Sequence, residues 1–221
     1  MAHKEGHKDG VRIPSVTQVI NIFEKYALYA WYAKHGVEEC NKIKIESGLF
    51  GTAVHDMIEQ YITKKERPIE FPPSVDQDKA KECAANFATW YNTSGLEVIN
   101  AEPEDAVYSK RYNFQGTWDF IGKRNGIILC ADWKTSNQLY ETVGLQLSAY
   151  AHLYGESQGW TDEEIFEKIP DGLAVRIDRK TAKVYTKDYT CLKHYFNTFK
   201  HLIHAYEFHT QSGAWGHEKC S

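Results

Sequence analysis

Asp119, Asp132 and Lys134 are the residues of this chain whose types and spacing most readily support chemistry, because they flank the dipeptide Asn125-Gly126. Asn-Gly favours a two-residue type I′ hairpin loop, in which both central positions need positive φ. With Arg124 paired to Ile127, counting outward sets Gly122 against Leu129, Phe120 against Ala131 and Asp119 directly against Asp132. Opposed side chains on paired strands have Cβ atoms about 4.5–5.5 Å apart, and like charges there destabilise the sheet. A hard divalent cation offsets that repulsion, since carboxylates are its preferred ligands and Mg²⁺ is held by one or two of them plus water and phosphate. Lys134 lies two residues beyond Asp132 on the same face and can meet the same phosphate or water. The alternatives are a solvated ribbon on which two acids happen to meet, a longer loop with another register, and a plain ion pair for Lys134. The apolar run Ile127 to Ala131 speaks against a solvated ribbon: it suggests a strand covered on both faces, where an unpaired carboxylate is costly.

The elements needed to carry this hairpin can be read from turn signals and periodicity. Ser15 as N-cap with Gln18 three residues on predicts a helix from there to about His35. Val54, Ile58, Tyr61 and Ile62 predict a second helix over about 49–65, ended by the Pro68 to Pro73 stretch, and a third is expected over 75–91. Segments 96–101, 106–114, 116–123 and 127–133 read as an antiparallel meander. Helices are expected over 140–158 and 161–169, a hairpin over 173–177 and 183–187, and a terminal helix over 188–210. This order implies an α/β fold: a central mixed, largely antiparallel sheet flanked by helices.

The whole sequence has 221 residues, 42% hydrophobic and 25% charged, enough for one substantial core. Residues 1–13 read as a polar, disordered leader and 14–221 as a single domain. Without a long apolar run or a signal-peptide pattern, the expectation is a cytoplasmic protein with no membrane partner. The five cysteines, Cys40, Cys83, Cys130, Cys191 and Cys220, contain no CxxC pair and are expected as reduced thiols. A net charge of −4 argues against a non-specific nucleic-acid coating protein, so any DNA contact should be local and metal-assisted.

Gly116-Thr117-Trp118-Asp119, Asp132-Trp133-Lys134-Thr135 and Gln146-Leu147-Ser148-Ala149-Tyr150 resemble successive motifs of RecB-type nucleases in the PD-(D/E)XK superfamily. Gly51-Thr52-Ala53-Val54-His55 is similar to the GxxxH helix motif of that family. Pro14-Ser15-Val16-Thr17 followed by Trp31 is similar to the opening of phage-encoded exonucleases and of the mitochondrial genome-maintenance exonuclease. The resemblance spans about residues 14–150 and implies a Mg²⁺- or Mn²⁺-dependent DNA nuclease, with an exonuclease expected. DNA repair, recombination or phage DNA processing is its implied setting, on single- or double-stranded DNA.

It implies His55, Asp119, Asp132 and the Trp133 carbonyl as metal ligands, Lys134 as the catalytic lysine, and Gln146 and Tyr150 as supports of the site and the substrate strand. Ser15, Thr17, Lys110, Arg111 and Thr135 are candidate DNA contacts; capping and solvated charge are the alternative roles. Lys64, Lys65 and Arg67 are surface cations that could guide a DNA backbone. Glu102, near Glu104 and Asp105, falls where relatives carry another acid, a solvated loop acid being the alternative. Cys191 and Cys220 are too far apart for the cysteine group of the iron–sulfur relatives, so no cluster is expected. His194, His201 and His204 share a helical face, with packing or exposure favoured over zinc. The rival function is a catalytically silent nuclease-fold subunit for DNA binding or assembly; a second is a hydrolase of small phosphoesters.

Overall fold

The computed structural model describes residues 6–8, 11–23, 26–101 and 105–212. Strands β1 (Gly6–Lys8) and β2 (Val11–Ile13) pair within the stretch read from sequence as a leader. Helices α1 (Val16–Ile20), α2 (Tyr26–His35), α3 (Val37–Thr63) and α4 (Gln77–Thr93) follow, then strands β3 (Leu96–Ala101), β4 (Val107–Ser109), β5 (Phe114–Gly116), β6 (Phe120–Arg124) and β7 (Ile127–Lys134). Helices α5 (Thr142–Ser157) and α6 (Asp162–Lys168), strands β8 (Asp171–Ile177) and β9 (Val184–Tyr189) and helix α7 (Leu192–Ser212) complete the described chain. The protein is α/β: a five-stranded mixed sheet in the order β3-β6-β7-β8-β9 lies between helices, with only β7 and β8 parallel. That parallel pair is joined by the α5–α6 crossover, the connection such strands require.

Each face of the sheet has its own core. Phe120, Leu129, Ala131, Trp133, Leu173 and Val175 point toward Phe50, Val54 and Ile58 of α3 and Phe87 of α4. Ile121, Cys130 and Ala174 point the other way, against Leu147, Tyr150 and Leu153 of α5 and Phe196 and Phe199 of α7. Burying each large apolar side chain in these layers contributes roughly 1.5–3 kcal/mol. Strand β7 is therefore covered on both sides, as its apolar run suggests.

Four readings need correction. The first helix ends at Ile20, where Ile22 and Phe23 donate to carbonyls three residues back, and α2 starts separately. β-branched residues and Asn21 make this stretch a poor helix interior. Helix α3 begins at Val37, far before the expected 49; of its first turns only Cys40 is buried, so they lack the stripe that marks a sheet-packed helix. The meander is broken, since β4 and β5 form their own two-stranded sheet and β3 pairs directly with β6. The loop between β4 and β5 contains Asn113 at φ 55° and is held by Glu156 of α5, which accepts from the Lys110 and Arg111 amides. The terminal helix starts at Leu192, because β9 continues to Tyr189 and Cys191 has φ 61°.

Candidate active site

The turn Asn125-Gly126 has φ 54° and 80°, and the ladder runs Arg124↔Ile127, Gly122↔Leu129 and Phe120↔Ala131, as counting from the turn expects. One step further the expectation of directly opposed aspartates fails. The ladder ends at Phe120↔Ala131, Asp119 lies in a bend ahead of β6, and its Oδ2 accepts from the Trp133 amide at 2.7 Å. Asp119 thus bonds to the β7 backbone instead of facing Asp132 as a ladder partner.

Asp132 is 1% exposed, at the edge of the layer beneath α5. The Lys134 ammonium lies 2.9 Å from its Oδ1 and 2.6 Å from its Oδ2. Only Oδ1 meets a donor in hydrogen-bond geometry, so Oδ2 is buried with an ionic contact but no directed hydrogen bond. Burial pushes the Asp132 carboxyl up to about 6; Lys134 opposes this and the Asp119 charge adds to it. Burial also raises Asp119, against the pull of Lys134 and the Trp133 amide.

His55 lies on α3 with Nδ1 3.7 Å from Asp119 Oδ1 and a hydrogen bond to the Trp133 backbone. Burial, then the Lys134 charge, pushes its imidazole down to about 4, so it is neutral at physiological pH. On α5, the Gln146 amide donates to the Tyr150 hydroxyl at 3.0 Å. Burial first, then the Asp132 charge, raises the Tyr150 phenol, which keeps its proton. Two glycines permit the close approaches: a Cβ on Gly51 would stand 3.0 Å from Thr135 Oγ1, and one on Gly116 only 2.9 Å from Tyr150 Cε1. Helix α3 and strand β5 are thereby brought against the end of β7 and against Tyr150.

His55, Asp119, Asp132, Trp133, Lys134, Gln146 and Tyr150 therefore gather at one end of β7. Thr135 borders them through Gly51. Ser15 and Thr17 are engaged in capping: Ser15 Oγ accepts from the Gln18 amide at 3.2 Å and meets Thr17 Oγ1 at 3.1 Å. Arg111 is tied elsewhere, to Asp162 at 2.9 Å and the Trp160 carbonyl at 2.5 Å, and the Lys110 amide to Glu156 at 3.0 Å. Arg67 pairs with Asp56 and Glu59. Trp118 and Trp133 are core residues, 3% and 2% exposed. Glu102, Glu104 and Cys220 lie outside the described residues. Sequence reasoning missed Arg176, which the parallel β7–β8 ladder places beside Lys134; no signal in the residues fixes that register.

Among the described residues no group of three or more His, Cys, Asp or Glu converges as a metal cage, and Lys134 lies on the Asp132 carboxylate. The donor chemistry nevertheless fits a hard divalent cation. It includes a buried carboxylate with one oxygen lacking a directed donor, a second carboxylate, a neutral imidazole and the Trp133 carbonyl.

No family model and no curated protein matches the chain. Among solved structures it is similar to LHK-Exo in complex with dAMP, with TM-score 0.42 and 10% identity over 91% of this chain and 89% of that one. It is also similar to SSO0001, with TM-score 0.35 and 14% identity over 74% of each chain. A third similarity is to an alkaline exonuclease, LHK-Exo, from Laribacter hongkongensis, with TM-score 0.28 and 10% identity over 71% of this chain and 92% of that one. No helix among the described residues is long and apolar enough to cross a membrane.

Proposed function

We propose that this protein is a Mg²⁺- or Mn²⁺-dependent deoxyribonuclease that hydrolyses DNA phosphodiester bonds. The observation that carries the reading is the buried Asp132 carboxylate gripped by Lys134, with Asp119 and His55 drawn to the same end of β7. Asp132, Asp119, His55 and the Trp133 carbonyl would hold the cation. When bound, such a cation polarises a phosphate oxygen and lowers the pKa of water.

Lys134 cannot ligate a cation while protonated, so its part is to donate. It spends one directed hydrogen bond on Asp132 Oδ1, which leaves donors for an attacking water or for charge developing on the phosphate. Tyr150 keeps its phenolic proton and accepts from Gln146, so its hydrogen can be offered to the strand or to a carboxylate. The Asp119 bond to the Trp133 amide fixes the backbone that presents the Trp133 carbonyl and Lys134. An exonuclease acting in DNA repair, recombination or phage DNA processing is the finer reading, supported by the resemblance of Pro14 to Thr17 and Trp31 to exonuclease openings.

One observation favours the alternative of a silent DNA-binding subunit: the donors are not converged, and Lys134 covers Asp132. A time course on end-labelled single- and double-stranded DNA, with Mg²⁺ or Mn²⁺ and with EDTA, separates the two. Metal-dependent product release, in steps from an end for an exonuclease, supports the enzyme; binding without cleavage supports the silent subunit.

A further inference from the structure

Strand β8 lies parallel to β7, and the register sets Arg176 beside Lys134 and Ala174 beside Asp132. Paired residues on neighbouring strands project to the same face, with strands about 4.8 Å apart, so Arg176 stands on the face of the sheet that Asp132 and Lys134 use, beside Lys134. Its surroundings hold it still. Nη1 donates to the Asn137 carbonyl at 2.9 Å, to Asp178 Oδ2 at 2.9 Å and more weakly to the Ser136 carbonyl at 3.4 Å. The Tyr185 ring, its neighbour on β9, stacks under the guanidinium carbon at 4.3 Å.

All of these polar contacts, among the described residues, go through Nη1. Nε and Nη2 are therefore an unspent pair of donors on a group already ordered, and a planar pair of this kind matches two phosphate oxygens. Asp178 meets the guanidinium through Oδ2 at Nη1 alone, while its Oδ1 accepts from the Lys180 and Thr181 amides and the Thr181 hydroxyl, so the carboxylate leaves Nε and Nη2 without a contact. The Arg176 side chain is 13% exposed, so the protein encloses most of it and only a small part meets solvent.

We infer that Arg176 is a second phosphate-binding residue of this site, taking the DNA phosphodiester next to the one at Lys134, with Tyr185 as the platform that orients it. The inference rests on the nuclease reading above and adds a substrate contact to it. Ordering is the reason arginine serves here: its side-chain entropy is already lost to Nη1 and Tyr185, so little more is lost when phosphate arrives.

The test compares wild type with Arg176→Gln, which keeps a donor for the Asn137 carbonyl but removes the charge, with Arg176→Lys, and with Tyr185→Leu at an exposed position. Single-stranded oligonucleotide cleavage with Mn²⁺ gives kcat and KM, and DNA binding against salt gives the number of ions released. Arg176→Gln should raise KM roughly tenfold with a smaller change in kcat, and should reduce the salt slope by about 0.7. Arg176→Lys should restore the slope but only part of KM, and Tyr185→Leu should raise KM a few-fold with the slope unchanged. If Arg176 serves only to tie the 136–137 loop, Gln and Lys will lower kcat and Tm together with KM and slope intact, and the inference is overturned. Should Arg176→Gln fail to fold, an unchanged KM in both Arg176→Lys and Tyr185→Leu overturns it equally. Wild type that cleaves no DNA would instead overturn the nuclease reading.

Discussion

Replacing Asp132 by Asn should stabilise the metal-free protein at pH 7 while abolishing cleavage. Asp132 is 1% exposed, and burial raises its carboxyl from 3.8 to about 6. A shift of that size places about 3 kcal/mol on the ionised form, at 1.36 kcal/mol per pKa unit. A folded-state pKa above the unfolded one means the native state holds its proton more tightly. The penalty is therefore complete above about pH 6 and is relieved as pH falls from there toward about 4. Asn keeps the shape and an acceptor for Lys134, and the ion pair it loses is already counted, because Lys134 opposes the shift that leaves the carboxyl at about 6. The gain at pH 7 is about 3 kcal/mol, or a Tm higher by about 6–12 °C for a domain of this size. Thermal melts in EDTA at pH 7 and pH 4 measure it. The gain should shrink to near zero at pH 4, and saturating Mn²⁺ should raise the wild-type Tm far more than that of the variant. An Asn variant less stable than wild type at pH 7, or a gain equal at both pH values, would refute the claim that Asp132 is held ionised at a cost.

Lys134→Ala should cut single-turnover cleavage by about 100-fold or more yet still bind Mn²⁺ in calorimetry; near-normal cleavage would remove the lysine from the chemistry. Gly116→Val places its Cβ 2.9 Å from Tyr150 Cε1 and should lower turnover by displacing that ring, while Gly126→Val, at φ 80° on the hairpin tip, should lower Tm with activity per folded molecule retained. His152 is fully buried between Asp162 and Glu156, and burial lowers its pKa, so it is neutral in the fold and charged in the acid-unfolded chain. Stability from this group is present above about pH 6.5 and is lost below it; urea melts from pH 7.5 to 5 should fall less steeply for His152→Phe than for wild type.

How much of this was legible in the residues depended on how local the cause was. Asn125-Gly126 specifies its own turn, and the ladder to Phe120↔Ala131 follows from it; the Ser15 capping box and the Gly51 to His55 spacing are local in the same way. Asp119 failed the count because the strand ends one residue early, where a carboxylate accepting from the Trp133 amide outcompetes continued pairing, and that bond spans residues distant in sequence. The length of α3 was invisible because, of its first turns, Cys40 alone is buried, with its thiol on the Trp31 carbonyl of α2, so no apolar stripe marks them. Arg111 read as a DNA contact because its partners, Asp162 and the Trp160 carbonyl, are brought to it by α5 and α6. Arg176 beside Lys134 depends on a parallel register closed through the whole crossover, which no short-range pattern encodes.

The most direct test of the central claim is single-turnover cleavage of end-labelled DNA by wild type, Asp132→Asn and Lys134→Ala side by side in Mn²⁺ and in EDTA. Cleavage by wild type in Mn²⁺ alone, with both variants folded and inactive, is the predicted result. Equal cleavage by Asp132→Asn, or cleavage by wild type in EDTA, would contradict the assignment of this buried carboxylate and its lysine as the seat of the reaction.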